Sequence, residues 1–128
     1  MDNTIIKTNQ DGGSMKLVFN RAELLQRLMA DEEMALAIIL CFLEDIPNQI
    51  SALKNYLNAN DSTGAVRTVH SIKGAAANIG GDALWALALD IERDGKLGDL
   101  ASVQSKVAKL EETFAELMMV LKIELHAD

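Results

Sequence analysis

The chain has 128 residues, about one domain, of which 49% are hydrophobic but only 4% aromatic, so its core is built from aliphatic side chains. Twelve Lys and Arg against nineteen Asp and Glu leave a formal charge of −7, which disfavours nucleic acid and anionic membranes as partners. One proline and eight glycines permit long helices and supply too few turn residues for a many-stranded sandwich, so the expected class is all-α.

The lone Cys41 excludes an intramolecular disulfide framework, and its neighbours Leu40 and Phe42 suggest a small buried apolar residue rather than a reactive thiol. The longest apolar run, Met34 to Leu43, is shorter than the ~20 residues of a membrane span. The N-terminus lacks the basic flank and apolar stretch of a signal peptide. These features lead us to expect a cytoplasmic module with no membrane contact.

Residues 1–14 mix polar residues with Gly12, Gly13 and Ser14 and read as a flexible segment or linker, which leaves residues 15–128 for the bundle. Asn20 can cap a short helix from Arg21 to Met29, and Asp31 a much longer one. In that long helix Leu36, Ile39, Leu43, Ile46, Ile50, Leu53 and Leu57 alternate steps of three and four, the spacing of a buried stripe, with Pro47 as a candidate kink. A second stripe of Ala35, Ile38 and Phe42 is either covered by the short first helix or left open to a partner.

Asn60 to Thr63 break the chain, and a third helix runs to Ile79 before Gly80 and Gly81. Asp82 can cap a fourth, with Leu84, Leu87, Leu89 and Ile91 on its apolar face and Gly95 as a stop. The last helix starts near Asp99. Its stripe of Leu100, Val103, Val107, Leu110, Phe114, Leu117 and Leu121 predicts that it and the long second helix form the spine of the bundle.

On a helical wheel His70 lies opposite Ala65, Ile72, Ala75 and Ile79, so burial of those residues turns the imidazole outward. Lys73 and Gly74 follow one turn on. A glycine inside a helix costs about 1 kcal/mol relative to alanine, so Gly74 invites a reason: close approach by another surface, or tight packing between helices. A neutral imidazole is a competent nucleophile, and phosphoryl transfer asks chiefly for in-line positioning and charge compensation, which a nearby lysine can give. From spacing alone, an ordinary surface histidine is the preferred reading.

The set His70, Lys73, Gly74 and Gly80, with the helix order over roughly residues 17 to 125, resembles the histidine-containing phosphotransfer (HPt) domains. That resemblance implies an antiparallel four-helix bundle with a short additional N-terminal helix, monomeric, whose histidine accepts a phosphoryl group from the aspartyl phosphate of a response-regulator receiver domain and hands it to another. It makes His70 the phosphoacceptor, Lys73 the electrostatic partner of the phosphoryl group, Gly74 the clearance for the receiver and Gly80 a helix terminator. It also implies a phosphocarrier without its own nucleotide site, cofactor or metal, the magnesium ion belonging to the receiver. Docking would use apolar surface near His70, with Ile38 and Phe42 as candidates. Many relatives have a small hydroxyl residue where Ala75 stands, so the hydrogen-bond partner of the imidazole is left open.

Other readings fare less well. The phosphoacceptor domain of a sensor kinase usually has an acid and then a proline after its histidine, whereas Ser71 follows here and no proline occurs after Pro47. His70 and His126 lack the companions of a zinc site. Asp90, Glu92, Asp94 and Gly95 imitate a calcium loop, but Gly98 and Ala101 stand where ligands are needed. A helical scaffold or dimerisation module with an incidental His70 remains the alternative.

Overall fold

A computed structural model describes residues 7–10 and 14–125, with side chains from residue 17 onward. Two short strands, β1 (Lys7–Gln10) and β2 (Ser14–Leu17), pair antiparallel and lead into five helices: α1 (Arg21–Arg27), α2 (Glu32–Asn58), α3 (Ser62–Ile79), α4 (Asp82–Lys96) and α5 (Leu100–Leu125). The class is the expected one, a bundle of four long helices with a short one before it. The hairpin was not anticipated; of the segment expected to be loose, residues 1–6 and 11–13 lie outside the described residues.

Caps set the helix starts. Asn20, Asp31 and Asp61 each accept from a backbone N–H three residues on, at 3.1, 3.0 and 2.9 Å, satisfying donors that a helix start leaves unpaired. Asp99 caps α5 in the same way through Ser102. Two expected boundaries move. Gly81, not Asp82, is the N-cap of α4, and Asp82 is an acid in the first turn. Gly95 lies inside α4, which runs on to Lys96, and the left-handed residue beyond it is Gly98.

The core is aliphatic, as composition requires, with Ile39, Ile46, Leu53, Ile72, Ile79, Leu84, Ile91, Leu110, Leu117 and Leu121 fully enclosed. In α2 the buried stripe is Ala35, Ile39, Phe42, Ile46, Ile50, Leu53 and Leu57, so Ala35 and Phe42 take the places expected for Leu36 and Leu43. The reason is that α2 packs on α3 as well as α5, which rotates its inward face towards the second stripe. Phe42 meets Phe114 of α5 with ring centroids 5.9 Å apart, while Leu36 stays exposed. Ala35 is buried at the end of the bundle where Leu24 and Leu25 of α1 lie, whereas Ile38 is half-buried. Cys41 is exposed, contrary to the expectation that it would be enclosed. By length and composition α2 could cross a membrane, a test that core helices also pass.

The expected spine of α2 and α5 is also revised, because the closest packing is between α3 and α4. Small residues explain it. A Cβ on Gly95 of α4 would come within 2.7 Å of Val66 Cγ2 on α3. Helices that approach this closely hold each other's side chains in register.

Gly80 ends α3 at φ +80°, and its carbonyl accepts from the Asn20 N–H at 2.7 Å, which ties the α1 entry to the α3 exit. A Cβ there would sit 2.7 Å from the Asn20 carbonyl oxygen, whereas Gly98, at φ +79°, has open space around it. Gly98→Ala should therefore cost only the left-handed conformation, about 1 kcal/mol, and Gly80→Ala that plus the displacement of Asn20, about 3 kcal/mol. Urea unfolding of the two variants checks this; equal losses would show that the chain at Asn20 yields freely.

Candidate functional site

The side chains singled out in the sequence gather on the outer edge of α3. His70 is 66% exposed, while Ala65, Ile72 and Ile79, opposite it on the wheel, are buried and Ala75 is half-buried. Lys73, one turn on, is half-buried, with 20% of its side chain exposed. Gly74 has nothing within 4 Å of where its Cβ would be, so helix packing does not account for this glycine. Gly64, Gly81 and Gly95 each face a neighbour that an added Cβ would crowd; Gly74 alone among the glycines inside the described helices leaves bare backbone facing solvent.

The imidazole's partner is Glu92 of α4, a residue that sequence reasoning placed only in a failed calcium loop. Its carboxylate is 3% exposed and collects three nitrogens: His70 Nδ1 at 2.9 Å and Lys96 Nζ at 3.3 Å on Oε2, and Lys73 Nζ at 2.7 Å on Oε1. Burial on its own would push this carboxyl up; the hydrogen bonds from Lys73, His70 and Lys96 outweigh it and hold the group at about 2, against an ordinary value of 4.5. Glu92 is thus a charged acceptor with no proton to give, and Nδ1 must be the protonated nitrogen. In the neutral ring the other nitrogen, Nε2, keeps its lone pair, on a side chain that is 66% exposed.

One signal could have found Glu92. It continues the α4 stripe of Leu84, Ala88, Ile91 and Gly95, and a carboxylate on a buried stripe needs cations from a neighbouring helix. The other two acids of the supposed calcium loop do structural work, since Lys106 Nζ bridges Asp90 at 2.8 Å and Asp94 at 2.7 Å. Asp94 is held below its ordinary range by Lys106 and by the Ser102 hydroxyl. Among the described residues, no group of three or more His, Cys, Asp and Glu side chains is placed to hold a metal ion, and His126 lies outside them.

Two open depressions flank the α3 edge. One, between α3 and α4, is lined by Val66, Arg67, His70, Glu92, Gly95 and Lys96. Arg67 lies over the Tyr56 ring at 5.9 Å. The other, between α2 and α3, is a mostly apolar groove lined by Ile38, Cys41, Phe42, Ala75, Asn78 and Ile79. Ile38 is accessible there, but Phe42 is only 5% exposed and belongs chiefly to the core, which corrects its expected role as a docking residue.

The family model for the Hpt domain matches residues 37–120. No curated protein matches the chain. Among solved structures, histidine-containing phosphotransfer protein B (HptB) from Pseudomonas aeruginosa PAO1 superimposes with a TM-score of 0.79 at 22% identity, over 84% of this chain and 94% of that one. The HPT domain from the Hpt sensor hybrid histidine kinase from Shewanella superimposes at 0.73 with 19% identity, over 84% and 93%. At such identities these two structures show a shared fold.

Because its pKa lies below the ordinary value, Glu92 contributes stability that is complete above pH ~4.5 and is lost as pH falls towards 2. Glu92→Gln should destabilise the bundle at pH 7 by roughly 2–3 kcal/mol, and the gap to the unaltered protein should close between pH 4.5 and 2. Urea midpoints across that range test it; a gap unchanged at pH 2 would mean that the loss at pH 7 comes from packing and not from charge.

Proposed function

Because the chain belongs to the Hpt domain family, we propose that His70 is the phosphoacceptor of a phosphorelay intermediate, taking a phosphoryl group from a receiver domain's aspartyl phosphate and passing it to another receiver's aspartate. Histidine phosphotransfer in phosphorelays is what the family does. The observation that carries the assignment of His70 is its polarity as a nucleophile. Nδ1 is pinned to an ionised, buried Glu92, while the largely exposed ring stands one turn from bare backbone at Gly74.

In the transfer, the Nε2 lone pair forms the N–P bond as the P–O bond to the receiver's aspartate breaks, and that carboxylate leaves. The ring keeps its Nδ1 proton and gains one positive charge, which Glu92 faces at 2.9 Å, so no base is needed. Return transfer reverses each step. Glu92 is a positioning residue that sets the tautomer and ring orientation. Lys73, fixed beside the ring on Glu92, adds positive charge to the field that the phosphoryl group enters. Gly74 gives clearance for the receiver, and the groove beside Ile38 receives its apolar surface. We place the magnesium ion in the receiver's acidic pocket and assign this chain no cofactor, no nucleotide site and a cytosolic setting.

His70→Gln should leave the melting temperature within a few degrees of the parent, since the side chain is largely exposed, and abolish uptake of label from a phosphorylated receiver. Label retained by that variant would exclude His70 as the acceptor. Gly74→Leu should stabilise the free protein by up to about 1 kcal/mol, because leucine favours a helix and nothing lies within 4 Å of the added Cβ. The same change should weaken receiver binding at least tenfold by calorimetric titration, and undiminished affinity would remove the clearance role.

A further inference from the structure

Two lysines meet the Glu92 carboxylate, and they hold it differently. Lys73 lies 2.7 Å from Oε1 with its side chain only 20% exposed, so withdrawing it would leave a buried anion short of its main counter-charge. Lys96 lies 3.3 Å from Oε2 with its side chain 65% exposed, a long and solvent-screened contact that is given up at little cost. Lys96 and His70 Nδ1 share one carboxylate oxygen, which puts this ammonium within a side-chain swing of the ring. Lys96 also lines the open cleft beside the imidazole. The other cation of that cleft, Arg67, lies over Tyr56.

We propose that Lys96 is the cation that binds the phosphoryl group on His70, leaving Glu92 Oε2 for the cleft as the ring is phosphorylated, while Lys73 stays on Glu92 throughout. The inference rests on the relay reading of His70 and refines the sequence-based assignment of Lys73. Charge drives the exchange. Phosphorylation makes the ring cationic at Nδ1, so Oε2 acquires a full positive partner at 2.9 Å and Lys96 is repelled from it. At the same moment a phosphoryl dianion arrives on Nε2, and a charge-assisted hydrogen bond to Lys96 becomes available. Glu92 keeps two cations before and after, and the dianion gains one.

The test uses the purified chain and phosphoramidate as a receiver-independent donor, the P–N bond breaking with loss of ammonia as the bond to Nε2 forms. Lys96→Ala should lower the initial rate of phosphohistidine formation about tenfold, followed by phosphorus NMR. It should also shorten the lifetime of the phosphohistidine severalfold after the donor is removed, with the melting temperature unchanged. Lys96→Arg should restore both. A Lys96→Ala protein that matches the parent in rate and lifetime overturns the proposal, as does a well-folded Lys73→Ala protein that alone shortens the lifetime; in either case labelling confined to His70 leaves the relay reading standing. Equal labelling of the parent and His70→Gln overturns both together.

Discussion

A single buried carboxylate organises this protein. Glu92 sits where α4 crosses α3 and is nearly sealed from water, which no isolated charge can afford, so the fold has to bring cations to it. The cations come from two helices, Lys73 from α3 and Lys96 from the next turn of α4, and the Nδ1–H of His70 on α3 donates to the same carboxylate. Satisfying Glu92 therefore aligns the two helices and, by the same contacts, fixes which ring nitrogen of His70 is free. Stability and reactivity are here consequences of one electrostatic demand.

That demand can be met only because α3 and α4 lie so close. The seat of Gly95 on Val66, the enclosure of Ala65 and Ala88, and the turn at Gly80 and Gly81 bring the backbones together. Long side chains then reach across within hydrogen-bonding distance. By contrast α2 and α5 meet through bulky groups such as Phe42 and Phe114 and through the exposed pair Lys54 and Glu111 at 2.6 Å, and they close the core on the side away from the tight pair. The tight contact carries the site and the looser one completes the container.

Much of this was legible in the sequence, for reasons that separate cleanly. The long amphipathic stripes and the Asx caps are local signals, so the number and order of helices and the outward turn of His70 follow from spacing and elementary sterics. The choice between Leu36 and Ala35 as the buried register was not legible, since both stripes are apolar and only the angle at which α3 docks decides between them. Cys41 was misjudged on its neighbours in the chain, yet a helix turns adjacent residues about 100° apart. Glu92 is separated from His70 by 22 positions, and no local pattern links them. What was available was a charged residue on an otherwise apolar α4 face, a conflict between residue type and position that commonly marks a functional site.

Glycine usage leads to the same conclusion from the opposite direction. Inside the described helices, Gly64 and Gly95 are explained by neighbours that press on them, and Gly74 has nothing within 4 Å of where its Cβ would be. A helix that forgoes roughly 1 kcal/mol at one exposed position with no internal return fits the proposed role of Gly74 as clearance for a partner. Bare backbone and a clustered His70, Lys73 and Lys96 on a chain of net charge −7 suit a partner that brings an anionic group on a closely approaching surface. The acidic remainder of the surface repels polyanions in general, so an anionic partner gains only where its charge meets this one cluster. On the proposed reading, recognition of an aspartyl phosphate in its receiver needs no deep pocket: His70, the cations Lys73 and Lys96 and the open backbone at Gly74 coincide at the outer edge of α3.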